Sequence, residues 1–293
     1  MNMQTISVTI LGAGNIAELL TQQIKKRSDV SLNAVLASSE TPTAGTQCVV
    51  YLPDPTERED DTVGRILNLL KAGFNVVSTL PAAAFSNTAL KAACKEGAST
   101  FHGSGGFQNC LAVRFNRAFA SITRNISDIE LIEELDVANL DEAEVAASAQ
   151  KHFYAAGLHT LSEAVFGNAN EHEKISVKGP LKREIDSTQR TNKTESAAQA
   201  VIQRNLGDHV IYDSIWTQRK SNIPLQYKLN TTSSDAIGHV TITFHQESEV
   251  NPVDHLICTG LLNAIRAASE SAPGILHHDL EINHVKTDDR LAH

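Results

Sequence analysis

The residues with the clearest chemical use form a short glycine-rich turn near the start of the chain. The stretch Gly12-Ala13-Gly14-Asn15-Ile16-Ala17 follows an apolar run and precedes apolar residues at helical spacing. In a GxGxxA turn the first glycine allows the bend, the second lets the backbone approach a pyrophosphate, and the alanine permits close helix packing. The helix start presents N–H groups to phosphate oxygens. The pattern predicts dinucleotide binding by Gly12, Gly14, Asn15 and Ile16, with a purely structural turn as the alternative.

The end of the second predicted strand should meet the ribose of that dinucleotide. The strand ends in Ala37-Ser38-Ser39-Glu40. Serine hydroxyls can donate to the 2′-phosphate of NADP, whereas an acidic residue accepts a hydrogen bond from the 2′-hydroxyl of NAD. Ser38 and Ser39 favour NADP, and Glu40 keeps NAD open. A loop that only contacts solvent is the third interpretation.

A dinucleotide of this kind carries out hydride transfer, and the protein must supply a group that gives or takes a proton. Glu134 lies on a predicted strand, and the alternative for it is a solvent-facing acidic side of that strand. His152 and Tyr154 form the second candidate pair, with ordinary helix positions as the alternative. Ser104 and Gly105 follow the fifth predicted strand and are expected to contact the substrate.

The first 110 residues show a regular alternation of predicted strands and helices, and this alternation positions the glycine turn and the other candidate residues of that part of the chain. Five β-branched runs predict strands, and amphipathic segments between them predict helices, with the strands in SVTIL, SLNAVLAS, QCVVYLP, FNVVSTLP and STFHG. This order predicts an α/β fold with a doubly wound parallel sheet of the Rossmann type. Ligands bind outside the carboxyl ends of such strands. Pro53, Thr79 and Leu80 are therefore expected to join the glycine turn in binding the cofactor.

The second half of the chain has a different pattern. Alternating strands after residue 125 predict a second α+β domain on an antiparallel sheet, with helices in 142–167 and a further helix at Glu195–Arg204. A strongly apolar helix at about 252–275 is expected to pack back on the first domain. The predicted organisation is a dinucleotide-binding domain over 1–125, with that helix, and a substrate-binding and dimerisation domain over 126–251.

Composition excludes several classes of function. The formal charge of −9 over 293 residues argues against a nucleic-acid or anionic-membrane partner. No apolar run reaches the roughly 20 residues that span a bilayer. The 12 histidines lack HxxxH or HExxH spacing, so no metal site is expected. Four cysteines without CxxC spacing, and no signal-peptide pattern, favour the cytoplasm.

The order of these motifs carries a family resemblance. The glycine turn, GFNVVST, FHGSG and the late LLNAIRAASESAPGIL follow one another along the chain. Together they resemble the dihydrodipicolinate-reductase-like dehydrogenases, and within that group the 2,4-diaminopentanoate dehydrogenases and native amine dehydrogenases. The resemblance implies NAD(P)H-dependent chemistry on a carbon–nitrogen double bond or an amine, and a homodimer. It also implies that Asn263 of the late motif takes part in cofactor binding.

The chain departs from that family at two places. Amine dehydrogenases of this type carry a glutamate after the VVST strand, where this sequence has Leu80-Pro81-Ala82-Ala83. Their Asn-Pro-Gly-like element is replaced by Gly105-Gly106-Phe107-Gln108-Asn109-Cys110. The expected function is hydride transfer to or from a small imine or amine. A carbonyl reductase and a dinucleotide-binding sensor without turnover are the alternatives.

Overall fold

The computed structural model describes residues 5–54, 57–104, 112–136, 153–167, 173–178, 199–217, 225–245 and 252–276. The chain divides into two compact units. The first comprises Met1–Cys110 with Asp254–His293, and the second comprises Leu111–Val253. The candidate residues Gly105 and His152 lie outside the described residues.

The elements follow one another in two groups. Residues up to 103 form β1 (Ile6–Leu11), α1 (Asn15–Ile24), β2 (Val30–Leu36), β3 (Cys48–Tyr51), α2 (Glu59–Lys71), β4 (Asn75–Ser78), a short 3-10 helix (Ala82–Ala84), α3 (Asn87–Gly97) and β5 (Thr100–Gly103). The later residues form α4 (Val113–Ala120), β6 (Ile126–Asp136), α5 (Phe153–Phe166), β7 (Glu173–Lys178), β8 (Gln199–Leu206), β9 (Val210–Thr217), β10 (Leu225–Ser233), β11 (Ile237–Phe244), α6 (Pro252–Glu270) and β12 (Gly274–Ile275).

The first unit is built on a six-stranded parallel sheet in the order β12-β5-β4-β3-β1-β2. Its central strand β3 is buried on both faces, with every residue from Cys48 to Tyr51 at 0% exposure. Such two-sided burial is expected when helices cover both faces of a parallel sheet. The predicted doubly wound fold is confirmed, and β12 adds a sixth strand at the edge.

Helix α6 packs on this sheet although it lies far along the chain. Leu261, Ala264 and Ile265 are each 0% exposed and belong to the same apolar cluster as residues of β1 and α1. Arg266 adds a polar contact, because its guanidinium lies 3.6 Å from the carboxylate of Asp29 before β2. The apolar face of α6 therefore fixes the helix against the start of the first unit.

The core also contains the described cysteines. Cys48, Cys94 and Cys258 are buried free thiols, as expected for a chain whose cysteines show no pairing pattern. Among the helices of the described residues, none has both the length and the apolar character needed to cross a bilayer.

The second unit is built on a six-stranded sheet in the order β11-β10-β6-β9-β8-β7. The sheet is mixed, so the prediction of an antiparallel sheet is wrong at one pair, because β6 and β9 run parallel. The chain between them contains α5 and the β7–β8 pair, and it returns to the edge of β6 in the same direction. A crossover of this length permits parallel pairing, which a short hairpin does not.

The predicted helix at Glu195–Arg204 is also wrong, because Gln199–Leu206 forms strand β8. This segment pairs with β9 over eight residues and with β7 on its other side. Its alanine and glutamines favour a helix, but Val201 and Ile202 favour a strand and tertiary pairing overrides such local preferences. The tight connection at Gly207 leads directly into β9 and completes the hairpin.

Candidate functional site

The glycine turn after β1 uses its two glycines differently. Gly12 has φ +135°, and a Cβ there would lie 2.7 Å from both the Cβ and the carbonyl oxygen of Leu52. Gly14 has φ +92°, and a Cβ there would meet nothing within 4 Å. Gly12 therefore lets the turn pack against the segment after β3, and Gly14 leaves its outer side open to a ligand.

Helix α1 begins at Asn15 immediately after this turn. Its N-cap is Gly14, which provides no side-chain hydrogen bond, and the first intrahelical bond joins the Glu18 N–H to the Gly14 carbonyl at 3.1 Å. The N–H groups before Glu18 therefore have no acceptor within the helix. Ala17 is only 3% exposed, which lets the first turn approach the sheet. The positive end of the helix is thus presented to an anion.

A cavity of about 590 Å³ extends from this turn along α1 to the end of β2. The turn itself, the first two turns of α1 and the last residues of β2 line it, namely Gly12, Ala13, Gly14, Ala17, Glu18, Thr21, Gln22, Val35, Leu36, Ala37 and Glu40. A nucleoside with its phosphates fits such a space, with the phosphates at the turn and the ribose near β2. Gly12 and Gly14 are thus brought together with the strand end, as predicted.

The strand end presents an acidic residue to this cavity. Of the described residues that line the cavity, the two charged ones are Glu18 and Glu40. The Ala37 N–H donates to Oε2 of Glu40 at 2.7 Å, which holds the carboxylate at the end of β2. Ser38 and Ser39 are outside this set of lining residues. A carboxylate accepts several hydrogen bonds, so it can also take the hydroxyls of a ribose.

The ends of β4 and β5 are held close to each other. The Ser104 N–H donates to the Ser78 carbonyl at 2.7 Å, and the Ser104 hydroxyl donates to the same oxygen at 3.2 Å. A Cβ on Gly103 would lie 2.5 Å from the Leu80 carbonyl oxygen. The loop Leu80–Ala82 after β4 therefore packs directly on the end of β5. Ser104 is 1% exposed, and its contact with substrate stays a prediction.

The remaining cofactor candidates lie at strand ends or on helices. Pro53 follows β3 and Thr79 follows β4, at the carboxyl edge of the sheet. Asn263 lies in the middle of α6 and is half-buried. Among the described residues these three do not line the 590 Å³ cavity, so their part in cofactor binding stays a prediction.

Glu134, the candidate proton donor on β6, forms an ion pair. The Lys228 Nζ on the neighbouring strand β10 donates to Oε1 of Glu134 at 2.5 Å. Both side chains are partly exposed, at 38% and 35% for Lys228 and Glu134. Tyr154 lies in the first turn of α5. The catalytic roles of Glu134, His152 and Tyr154 stay predictions.

The neighbouring residue Glu133 is a buried carboxylate that was not among the residues selected from the sequence. It is 4% exposed, and Ser214 on β9 donates a hydrogen bond to its Oε1 at 2.8 Å. The indole N–H of Trp216 donates to the Ser214 hydroxyl at 2.8 Å. Tyr227 lies directly opposite Glu133 on β10, and Tyr212 and Tyr227 are both close enough to this carboxyl group to lower its pKa. The sequence did indicate the burial of Glu133, since Ile129, Leu131 and Glu133 alternate along the strand and therefore lie on the same, apolar side.

Burial raises the pKa of Glu133, and its interactions with Ser214, Tyr212 and Tyr227 oppose that shift. A raised folded-state pKa contributes stability below the ordinary value near 4.5, and that stability is lost as pH rises through the folded-state pKa. Relative to Glu133→Gln, which cannot titrate, the wild type should lose stability in that window by up to about 1.4 kcal/mol per pH unit. Urea unfolding of both proteins from acid to neutral pH measures this, and parallel stability curves would contradict it.

The chain is similar to known proteins in its structure. No family model and no curated protein sequence matches the chain. Among solved structures, an amine dehydrogenase from Mycobacterium smegmatis is similar with a TM-score of 0.62 at 12% identity, over 94% of this chain and 96% of that one. A myo-inositol dehydrogenase from Corynebacterium glutamicum is similar with a TM-score of 0.56 at 13% identity, over 92% and 90%.

A dipicolinate-bound dihydrodipicolinate reductase from Paenisporosarcina sp. TG-14 is also similar, with a TM-score of 0.51 at 12% identity over 93% of this chain and 97% of that one. The chain shares the fold of these three structures. The resemblance predicted from the motifs is therefore confirmed at the level of fold. Coverage of both chains is nearly complete, so the similarity includes both units and extends beyond the glycine turn.

Proposed function

We propose that the chain is an NAD(P)-dependent oxidoreductase that transfers a hydride to or from a small molecule. The observation that carries the proposal is the open glycine turn at the start of α1, continuous with a cavity that reaches the end of β2. Gly12, Gly14, Asn15 and Ile16 would hold the pyrophosphate there. The names of the similar structures, two dehydrogenases and a reductase, support the same reaction type.

The cavity supports NAD over NADP. Ser38 and Ser39 favour NADP in the sequence, but Glu40 is the residue after β2 that lines the cavity. A carboxylate at that place accepts hydrogen bonds from the ribose hydroxyls and repels a 2′-phosphate. We therefore assign NAD as the cofactor in this proposal.

The proposed substrate class is a small imine or amine. The motif order supports it, and the amine dehydrogenase has the highest TM-score of the three similar structures described above. Carbonyl and alcohol chemistry is the second candidate, since a myo-inositol dehydrogenase has the same fold at a TM-score of 0.56. The chain lacks the glutamate that amine dehydrogenases of this type carry after VVST, so a preformed imine suits it better than a ketone with free ammonia.

Bound NAD(H) would supply the hydride, and the chain's own residues would bind it and handle the proton. The first turn of α1 would fix the pyrophosphate, and Glu40 would orient the ribose. Glu134, His152 and Tyr154 are the proposed proton-handling residues, and Ser104 and Gly105 are the proposed substrate contacts. Each assignment can be tested by substitution, with cofactor affinity separating a binding defect from a loss of turnover.

A second copy of the chain is the proposed partner. The side of the second sheet that carries Glu134 and Lys228 also carries isoleucines, of which Ile211 and Ile237 are 37% and 64% exposed. Exposed apolar side chains on one sheet face are typical of an interface. The buried free thiols support the cytoplasm as the compartment.

A hydride-transfer assay tests the proposed function. Purified protein is incubated with NADH and then with NADPH, and the reduced nicotinamide is followed by absorbance against preformed cyclic imines, ketones with ammonium, and ketones alone. Turnover with imines supports the main proposal, and turnover with ketones alone supports the second. Binding of NADH without turnover on any of these classes would leave the chain as a dinucleotide-binding sensor.

A further inference from the structure

A second cavity lies at the other edge of the first sheet. It measures about 540 Å³ and is lined by the last two turns of α3 and by the segment after α6, namely Lys91, Lys95, Ala98, Pro273, Gly274 and Ile275. This volume is typical of small-molecule sites. The cavity shares no lining residue with the cofactor cavity, and β12 and β2 are the opposite edge strands of the sheet. The two cavities are therefore separate.

The charged residues that line this second cavity are both cations. Lys91 and Lys95 are exposed and lie four positions apart on α3, so they share one face of the helix, where their like charges repel slightly. Among the described residues no acidic side chain forms an ion pair with either of them, whereas Lys71 of α2 pairs with Glu96 at 3.8 Å. Within that part of the chain, the two charges are available to an anion.

The backbone of β12 adds a hydrogen-bond donor beside the lysines. Gly274 and Leu276 donate their N–H groups to carbonyls of β5 and of the residue before it, at 3.0 and 2.8 Å. Successive N–H groups of a strand point to opposite sides, so the Ile275 N–H between them points to the open edge of the sheet. Gly274 has φ +151°, and a Cβ there would meet nothing within 4 Å. The backbone is thus open to a ligand at this place.

The remaining lining is apolar and fixed in place. The Ile275 side chain packs against the apolar cluster beneath α3. Ala98 and Pro273 line the same cavity, and the Thr100 hydroxyl donates to the Ala272 carbonyl at 3.2 Å, which holds the segment after α6 at the start of β5. The cavity therefore combines an apolar surface with two cations and an edge N–H group.

We propose that this cavity is a second ligand site that binds a small organic phosphate. A phosphate monoester carries roughly two negative charges at neutral pH, which matches the two lysines. Lysine binds phosphate as a point charge, and the Ile275 N–H would donate to a further phosphate oxygen. The organic part would contact Ala98 and Pro273. This site goes beyond the proposed function, because it lies apart from the cofactor cavity and requires no hydride transfer.

Isothermal titration calorimetry with phenyl phosphate tests the inference, because this probe joins a phosphate to an apolar ring. The wild type should bind it saturably and more tightly than inorganic phosphate, which lacks the ring, or benzoate, which carries one charge. Phenol, which has no charge, should bind most weakly. The double variant Lys91→Gln with Lys95→Gln should bind phenyl phosphate about tenfold more weakly, since it loses both cations. Both lysines are exposed, so thermal unfolding should stay unchanged.

The double variant Lys25→Gln with Lys26→Gln is the matched control. These two lysines are exposed at the end of α1 and line neither cavity, so the net charge changes equally. The control should keep the wild-type affinity for phenyl phosphate, and added salt should weaken binding in the wild type more than in the Lys91 and Lys95 variant.

Three results would overturn the inference. The first is no saturable binding of phenyl phosphate by the wild type up to about 10 mM. The second is an equal loss of affinity in the two double variants, which would mean a general effect of net charge. The third is binding that survives the loss of Lys91 and Lys95 but is abolished by Gly14→Val, which would place the anion at the turn after β1.

Discussion

Replacing Gly14 with valine should weaken dinucleotide binding at least about 100-fold, which corresponds to about 2.7 kcal/mol. A Cβ at Gly14 meets nothing in the protein within 4 Å, so the added side chain occupies the space left for the pyrophosphate. With φ +92° and ψ −172°, Gly14 has a backbone conformation that is nearly restricted to glycine, so any other residue adds strain of about 1–3 kcal/mol. The affinity for NADH is the measurement, with thermal unfolding recorded alongside.

Gly45→Val separates the loss of binding from the strain. Gly45 has φ +83° and also has nothing within 4 Å of a Cβ, but it lies outside the set of cavity-lining residues. The Gly45→Val variant should lose a similar amount of stability and keep the wild-type affinity for NADH. Wild-type affinity in the Gly14 variant would mean that the turn after β1 does not hold a phosphate.

The second large effect is expected at Glu40. Replacing Glu40 with serine removes the carboxylate proposed to face the ribose and leaves three hydroxyls in sequence, at Ser38, Ser39 and position 40. The ratio of NADH to NADPH affinity should fall about 100-fold, because NADH loses a charged acceptor and NADPH loses a like-charge repulsion. Titration of the variant and the wild type with both cofactors gives this ratio.

Glu18→Gln is the control for the Glu40 substitution. Glu18 lines the same cavity on the α1 side, so Glu18→Gln removes one negative charge from the cavity, as Glu40→Ser does. It should raise the affinity for both cofactors and leave their ratio nearly constant. If the wild type prefers NADPH, or if Glu40→Ser leaves the ratio of NADH to NADPH affinity unchanged, the account is wrong at Glu40, and Ser38 and Ser39 become the residues expected to contact the ribose.

The first unit could be predicted from the sequence because its signals are local. A buried strand, a glycine turn and an amphipathic helix follow one another within 20 residues, and the pattern of β1 and α1 repeats along the sheet. The packing of α6 was also predictable, since its apolar character requires burial. The two-residue strand β12 was not predicted, because pairing with β5 rather than its own pattern defines it.

The second unit could not be predicted as fully, because its strand pairings depend on contacts between residues that are distant in the sequence. β8 became a strand through pairing with β7 and β9, and β6 became the parallel neighbour of β9 through a crossover of more than 70 residues. No local pattern encodes either arrangement. The network around Glu133 has the same origin, since Ser214 and Tyr227 reach it only when β9 and β10 flank β6.

The candidate site was predicted in part. The glycine turn and the end of β2 line one cavity, as the position of ligand sites in parallel sheets leads one to expect, and their contact with a cofactor stays a prediction. The choice among Ser38, Ser39 and Glu40 was open, because the turn after β2 decides which side chain faces inward.

The most direct test of the account is a fluorescence titration of the purified protein with NADH and, separately, with NADPH. The account predicts saturable binding of both cofactors with tighter binding of NADH, because the open turn accepts the pyrophosphate and Glu40 accepts the ribose. Binding of neither cofactor would reduce the turn after β1 to a structural bend, and the proposed oxidoreductase function would fail with it.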